Sequence, residues 1–251
     1  MVTVPCLKDN YAYILRDTDT GTTAVVDVPD ATPIIEALTL RGWPLHQIFL
    51  THHHWDHIDG VAALVLATGA TVIGAAVDAH RLPPLDMALS KGDSISVGTQ
   101  TGIVIDVPGH TVGHIAFHFP TAALAFTADS LMAMGCGRLF EGTPAQMWDS
   151  LSTLGKLPPE TLICSGHEYT ASNMRFALAL EPDNPNLILR SGRISAARSQ
   201  GLPTVPSRLA DELVTNPFLR AHTSQMKAVL GTPNATDAEA FANLRARKDG
   251  F

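Results

Sequence analysis

Short apolar runs alternate with polar or turn-forming breaks along the first 170 residues of the chain. Gly, Pro, Asp or Thr bounds each run, a pattern that predicts short β-strands. The predicted strands are Tyr11–Arg16, Thr23–Val28, Gln47–Thr51, Thr71–Ile73, Ser94–Val97, Gly102–Val107, His114–Phe119, Ala123–Thr127 and Thr161–Cys164. The predicted helices between them are about Ala31–Arg41, Ile58–Thr68 and Pro144–Gly155. Strand runs with interleaved helices predict two sheets with helices outside them.

Capping signals support the helices, and the pattern changes after about residue 170. Thr143 and Gln146 form a capping box for the helix that begins at Pro144. From Ala171 onward strand signals nearly vanish, and Asn184-Pro185 begins a helix. A second capping box, Thr236 with Glu239, begins another helix that ends near Lys248. We therefore predict two domains, a strand-rich one over residues 1–170 and a smaller helical one over 171–251.

The strongest chemical signal follows the predicted strand at Gln47. His52, His54 and Asp56 alternate in an extended segment, so their side chains are expected to point the same way. His57 opens the next helix and is expected to turn back towards them. Four nitrogen and oxygen ligands in one short segment exceed what one tetrahedral metal ion needs. The segment therefore predicts two metal ions.

Three more candidate ligands lie on loops that leave predicted strands. They are His110, Asp129 and His167. Loops at one edge of a sheet are where functional sites are commonly built. With the first cluster they make five histidines and two aspartates, enough for two metal sites that share one carboxylate and leave room for water.

Composition narrows the class of protein. The net charge of -7 disfavours a broad nucleic-acid surface, and the longest apolar run, Val61–Ala67, is too short to span a membrane. Cys6, Cys136 and Cys164 match neither a disulfide framework nor a cysteine zinc site. We therefore expect a cytoplasmic protein that binds neither nucleic acid nor a membrane. We also expect a monomer with a small-molecule substrate. No nucleotide-binding glycine motif occurs.

The ligand segments resemble the metallo-β-lactamase superfamily. Further motifs make the resemblance closer to the hydroxyacylglutathione hydrolases, or glyoxalase II: Lys8-Asp9-Asn10-Tyr11, Gly135-Cys136-Gly137-Arg138-Leu139-Phe140-Glu141-Gly142, Gly166-His167-Glu168-Tyr169-Thr170 and Asn216-Pro217-Phe218-Leu219-Arg220. The resemblance implies an α+β fold, a four-layer αββα metallo-β-lactamase-like sandwich, followed by a small all-α C-terminal domain. Residues 1–170 would hold the metals, and 171–251 would bind substrate.

By position, the resemblance assigns three residues to metal one: His52, His54 and His110. It assigns three to metal two: Asp56, His57 and His167. Asp129 would bridge both ions. The cofactors implied are two divalent metal ions, zinc being favoured and iron or manganese also suiting these ligands.

The resemblance implies hydrolysis of S-(2-hydroxyacyl)glutathione thioesters, S-D-lactoylglutathione in particular, by a metal-bridging hydroxide. The products would be glutathione and a 2-hydroxy acid such as D-lactate, the second step of methylglyoxal detoxification. Asp56 and Asp129 would be catalytic, Asp129 through the bridge and Asp56 as acceptor of the hydroxide proton. The expected substrate contacts are Arg138, Phe140, Tyr169, Arg245 and Lys248.

The sequence leaves several alternatives open. Some family members have Tyr where this chain has Phe140, which cannot donate a hydrogen bond. Arg245 and Lys248 also suit the C-terminus of a helix, and Asp59 suits either a helix N-terminus or a partner that orients a ligand histidine. The alternative functions are a lactonase or persulfide dioxygenase on the same fold, or a non-catalytic metal-stabilised binding module.

Overall fold

The computed structural model describes all 251 residues. Contacts between residues divide the chain into two compact units. The first unit comprises residues 1–106 and 113–128, and the second comprises 107–112 and 129–251. No helix in either unit is both long enough and apolar enough to cross a lipid bilayer.

The first unit contains a six-stranded mixed sheet in sequential strand order. Its strands are β1 (Val2–Cys6), β2 (Asn10–Arg16), β3 (Thr23–Val26), β4 (Gln47–Phe49), β5 (Thr71–Ala75) and β6 (Met87–Leu89). Strands β1 to β3 pair antiparallel, and β3 to β6 pair parallel. Its helices are α1 (Ala31–Arg41), α2 (Trp55–Ile58) and α3 (Val61–Thr68), with a 3₁₀ turn at Ala76–Asp78. Parallel neighbouring strands must be joined by crossover connections. The crossover from β4 to β5 begins with the loop that carries the histidine cluster.

An antiparallel meander completes the first unit. It consists of β7 (Ser94–Val97), β8 (Gln100–Asp106), β9 (Ile115–Phe119) and β10 (Leu124–Ala128). The two sheets of this unit meet through aromatic rings: Phe49 lies 5.2 Å from Phe117, and Tyr13 lies 5.7 Å from Phe126, between ring centroids. These contacts form the part of the core that lies between the two sheets.

Helix α1 shows how the sequence sets one of the outer layers. The Asp30 side chain accepts a hydrogen bond from the amide of Thr32 at 2.9 Å and begins the helix. Gly42 ends it in the left-handed conformation, at φ 62°. Ile34 and Leu38 are buried in the core cluster beside the strands. Burying each of these side chains contributes roughly 1.5–3 kcal/mol.

The second unit is mainly helical. Its strands are β11 (Leu131–Met132), β12 (Gly135–Cys136), β13 (Leu162–Ser165) and β14 (Ser207–Arg208), which form two antiparallel pairs. Its helices are α4 (Pro144–Leu154), α5 (Thr170–Leu180), α6 (Pro185–Ser199), α7 (Leu209–Thr215), α8 (Ser224–Val229) and α9 (Asp237–Asp249). Both predicted capping boxes are present, at the starts of α4 and α9, and Asn184 caps α6 as predicted.

One predicted element is wrong in a way that bears on the site. The single helix expected over Ile58–Thr68 is two helices, α2 and α3, with Gly60 between them. A Cβ at Gly60 would lie 2.6 Å from the backbone nitrogen of Ala31, so the chain approaches the start of α1 too closely for any other residue. Asp56 therefore lies in the short helix α2, and the predicted extended alternation stops before it.

Candidate metal centre

The first unit brings four predicted ligands to the carboxyl end of β4. His52 and His54 lie on the loop after the strand, and Asp56 and His57 lie in α2. The ring centroid of His52 lies 4.8 Å from that of His54 and 4.2 Å from that of His57. His52 and His57 are fully buried. Buried imidazoles packed this closely suit metal ligation, because a bound cation offsets the loss of their hydration.

Asp27, at the end of β3, orients two of these histidines. Its carboxylate accepts hydrogen bonds from the amide of Thr51 at 2.9 Å, the Thr51 hydroxyl at 2.8 Å and His57 Nδ1 at 2.8 Å. The Thr51 hydroxyl also lies 3.0 Å from His52 Nδ1. The contacts of His52 and His57 both engage Nδ1, which leaves Nε2 as the nitrogen for a metal. No sequence pattern singles out Asp27, whose only signal is a carboxylate that ends an apolar strand. Asp59 is exposed at the end of α2, and Asp27 holds the position beside His57.

Two polar partners brace the rest of this segment. Asn10 Nδ2 donates to the Asp56 carboxylate at 3.1 Å and to the Asp56 carbonyl at 2.9 Å. The asparagine of the Lys8-Asp9-Asn10-Tyr11 motif therefore orients a candidate metal ligand. His53, between two predicted ligands, instead places Nδ1 2.9 Å from the buried Asp78 carboxylate. Arg81 Nε donates to the same carboxylate at 2.9 Å. Asp56 and His53 thus each have a hydrogen-bond partner from outside the loop.

The second unit brings together His110, Asp129 and His167, all buried. Asp129 Oδ2 lies 3.4 Å from His110 Nε2 and 3.4 Å from His167 Nε2. Two ligands each about 2.1 Å from a tetrahedral ion are themselves about 3.4 Å apart. One carboxylate oxygen equidistant from two imidazoles is the arrangement expected of a carboxylate shared by two ions.

Neighbouring groups orient these histidines too. His110 Nδ1 lies 2.8 Å from the carbonyl oxygen of Arg138, to which it donates as the neutral tautomer, so its Nε2 is the ligand nitrogen. The ring of His167 stacks on that of Tyr169 with centroids 4.6 Å apart and planes 5° apart. A Cβ at Gly137 would lie 2.0 Å from the carbonyl oxygen of Asp129, so the backbone there requires glycine. Each of the three candidate ligands of the second unit is therefore restrained by a neighbouring group.

Three predicted substrate contacts border these ligands. The Arg138 side chain is exposed. Phe140 is 63% exposed, and its ring centroid lies 5.2 Å from that of His110. Tyr169 is also exposed and stacks on His167. An exposed cation and two exposed rings beside the ligands offer a substrate both charge and apolar surface.

The other two predicted contacts lie on α9. Arg245 is 5% exposed, donates to the Cys136 carbonyl at 3.0 Å and pairs with Asp249 at 2.9 Å. Its guanidinium lies 5.0 Å from the ring of Phe218. Burial raises the pKa of the adjacent Cys136 thiol to about 11, so it stays protonated and is a poor nucleophile.

Lys248 lies among other cations. Its ammonium donates to Ser172 Oγ at 3.3 Å. Burial lowers the pKa of Lys248, and the nearby charges of Arg245, Arg175 and Arg138 lower it further. Cations brought together in this way attract an anionic group.

Comparisons with known proteins agree with this description. A model of the metallo-beta-lactamase superfamily matches residues 9–167, and a model described as hydroxyacylglutathione hydrolase C-terminus matches residues 168–251. A Cereibacter sphaeroides protein named hydroxyacylglutathione hydrolase is 65% identical over 251 residues, covering 100% of this chain and 98% of that protein. The crystal structure of ETHE1 from Myxococcus xanthus is 24% identical, with a TM-score of 0.64 over 99% of this chain and 98% of its own. A crystal structure in a di-iron-bound form is 28% identical, with a TM-score of 0.57 over 66% of this chain and 90% of its own.

The fold and the two clusters of ligand-type side chains define a metallo-β-lactamase-superfamily protein with a helical C-terminal extension. Within that superfamily, the chain belongs to the hydroxyacylglutathione hydrolase family, since the relative from Cereibacter matches it from end to end. The resemblance and the fold class expected from the sequence are both confirmed. The predicted domain boundary at residue 170 stays a prediction. The two family models meet between residues 167 and 168.

Proposed function

We propose that this chain hydrolyses S-(2-hydroxyacyl)glutathione thioesters, with S-D-lactoylglutathione as the expected substrate. The observation that carries the proposal is the full-length match to a hydrolase of that name, which extends through the helical segment. Metal ligands alone would support only a hydrolase of the superfamily. The cations of α9 and the exposed ring of Tyr169 add a means of holding an anionic tripeptide.

The seven predicted ligands are proposed to hold two divalent metal ions. Such a pair, when bound, makes water a nucleophile at neutral pH and polarises a carbonyl group. The support is the donor set: five imidazoles and two carboxylates, three of the imidazoles with Nδ1 already engaged inside the protein. These ligands suit zinc, with iron and manganese as alternatives, and we propose zinc.

Side chains of the protein are proposed to accept the proton and to bind the substrate. Asn10 holds the Asp56 carboxylate, which we propose accepts the proton released when the nucleophile adds to the thioester carbonyl. Arg138 and Lys248 are proposed to bind the carboxylates of glutathione, and Tyr169 its peptide groups. The departing thiol has a pKa of about 8.5, so it leaves with little help from a general acid.

The alternative functions are less well supported. A lactonase or persulfide dioxygenase is less favoured because residues 168–251 match the model described as hydroxyacylglutathione hydrolase C-terminus. A purely structural metal site would have all its positions filled by protein. The exposed Arg138 and Tyr169 beside His110 and His167 favour a site that admits a substrate.

The deciding experiment pairs an assay with metal analysis on the purified chain. Hydrolysis of S-D-lactoylglutathione, D-lactate release and metal equivalents per chain are measured, with a simple lactone as the competing substrate. We expect two metal equivalents and a strong preference for the thioester. Equal or better turnover of the lactone would contradict the glutathione assignment, and one metal at full activity would contradict the paired site.

We also propose that the protein acts as a monomer in the cytoplasm. The three cysteines are buried, which fits a chain that needs no disulfide for stability. Light scattering at assay concentration measures the oligomeric state.

A further inference from the structure

In the sequence, the hairpin β11–β12 lies between the candidate ligand Asp129 and the Gly137-Arg138 segment that contacts the candidate ligand His110. Asp129 precedes Leu131 by two residues, and Gly137 and Arg138 follow Cys136 directly. The hairpin has only two paired positions, Leu131 with Cys136 and Met132 with Gly135. A two-stranded ribbon this short does not hold its own shape.

Side chains from elsewhere in the unit bind the backbone of this hairpin. Asn216 Nδ2 donates to the carbonyls of Met132 at 3.1 Å and Gly135 at 3.0 Å. Asn173 Nδ2 donates to the carbonyl of Ala133 at 3.1 Å. One asparagine thus ties both strands, and a second holds the turn between them.

Two charged side chains also bind the backbone of the hairpin. The Glu212 carboxylate accepts from the amide of Met134 at 2.7 Å, and Arg245 donates to the carbonyl of Cys136 at 3.0 Å. Met134 has φ 56°, a left-handed conformation that a methionine adopts only where its surroundings impose it. Arg190 and the Ser207 hydroxyl in turn bind Glu212. We call Asn173, Glu212, Asn216 and Arg245 the hairpin clamp; all four are buried and all lie C-terminal to the last metal ligand.

The hairpin leads directly to two candidate ligands. The Gly137 amide donates to the Ser130 carbonyl at 3.1 Å, next to Asp129. The Arg138 carbonyl accepts from His110 Nδ1 at 2.8 Å. A shift of the hairpin would therefore move Asp129 along the chain and His110 through its hydrogen bond.

We propose that the hairpin clamp positions Asp129 and His110 and so sets how tightly the chain holds metal. This inference rests on the proposed function, because it assumes that Asp129 and His110 bind metal. The helical segment then has two roles: it supplies substrate contacts, and it builds one side of the metal centre. It also gives the Asn216-Pro217-Phe218-Leu219-Arg220 motif a purpose, since its asparagine holds both strands of the hairpin.

The experiment uses the metal-loaded full chain and two substitutions in the clamp. Asn216→Asp keeps the oxygen that accepts from the Phe218 amide at 3.0 Å but removes both donors to the hairpin. Asn173→Ala removes the donor to the turn and adds no charge, which keeps the test valid if Asn216→Asp does not fold. The rate of metal release to a chromophoric chelator is measured, with kcat and KM for S-D-lactoylglutathione.

Arg220→Lys is the matched control. Arg220 belongs to the same motif as Asn216, is buried and pairs with Glu181, but contacts no part of the hairpin. It should lower the Tm without changing metal release. Loss of a group that orients a metal ligand typically weakens metal affinity about 10–100-fold, so we expect at least tenfold faster release from both clamp variants.

The kinetic constants separate positioning from substrate binding. The clamp variants should lose kcat with little change in KM. Wild-type release rates in folded clamp variants would overturn the inference, as would equally fast release from Arg220→Lys. Failure of the proposed function has a different signature: wild type itself would hold no metal or would not hydrolyse the thioester.

Discussion

At the scale of single residues, hydrogen bonds within the protein decide which ring nitrogen of a candidate ligand histidine remains available to a metal. His57 Nδ1 lies against the Asp27 carboxylate, His52 Nδ1 against the Thr51 hydroxyl, and His110 Nδ1 against a backbone carbonyl. A neutral imidazole that donates from Nδ1 carries its lone pair on Nε2. The protein therefore selects the tautomer suited to metal before any metal arrives.

The first prediction concerns Asp129, whose Oδ2 lies 3.4 Å from two ligand imidazoles. Asp129→Ala removes the only carboxylate assigned to both ions, so we expect loss of roughly one metal equivalent and nearly all turnover. Elemental analysis and the thioester assay measure both. Asp149→Ala, which changes an exposed carboxylate on α4, is the control and should match wild type. Two retained metals with full activity in Asp129→Ala would contradict the shared-ligand assignment.

The second prediction concerns Lys248, whose pKa lies below its ordinary value of 10.5 because of burial and the charges of Arg245, Arg175 and Arg138, with Asp249 acting in the opposite direction. A lowered pKa means that the positive charge is lost at lower pH than for a free lysine. KM for the anionic thioester should therefore rise on the alkaline side, beginning below pH 10.5.

The pH profile of KM measures this, and a conservative substitution is the control. Lys248→Arg keeps a cation that stays protonated to higher pH than a lysine does, so the alkaline rise should move to higher pH. A profile identical in wild type and Lys248→Arg would show that Lys248 does not bind the substrate carboxylate.

At the scale of elements, local signals predicted most of what depends on local chemistry. Both capping boxes and the start of α6 were predicted, since each lies within four consecutive residues. Helices α5, α7 and α8 are not predicted by the sequence. In α5 and α7, buried polar residues such as Asn173 and Glu212 interrupt the apolar pattern. Those polar residues bind the hairpin, a contact that no local pattern shows. Asp27 was missed for the same reason: its partners are 24 and 30 residues away.

The third prediction tests the turn that follows the hairpin. A Cβ at Gly137 would lie 2.0 Å from the Asp129 carbonyl oxygen and 2.9 Å from His110 Nδ1. Gly137→Ala should therefore displace two ligands, weaken metal affinity by at least about tenfold and lower kcat by a similar factor, as expected when groups around a metal are disturbed.

Gly192→Ala is the control for the same chemical change. Gly192 lies in α6, and a Cβ there meets nothing within 4 Å. Alanine in a helix interior is favoured over glycine by about 1 kcal/mol, so this variant should melt slightly higher with unchanged metal content. Unchanged metal content in Gly137→Ala would mean that the turn yields without moving Asp129 or His110.

At the scale of the whole molecule, an acidic protein must bind an anionic substrate. The chain carries a net charge of -7, while glutathione has two carboxylates and one ammonium. At about 0.1 M ionic strength the Debye length is about 10 Å, so most of the protein's acidic groups are screened from the substrate. The cations around Lys248 act at contact distance. We therefore expect local attraction to outweigh overall repulsion.

The last prediction follows from that balance. Raising salt from about 0.02 M to about 0.5 M shortens the Debye length several-fold and weakens exposed charge–charge contacts. KM for S-D-lactoylglutathione should rise several-fold, while KM for a small uncharged thioester should stay constant. In Arg138→Ala the salt dependence should be shallower, since one exposed cation is gone. If KM for the glutathione thioester instead falls as salt rises, repulsion by the acidic surface dominates, and the cations around Lys248 serve the structure of α9 rather than substrate binding.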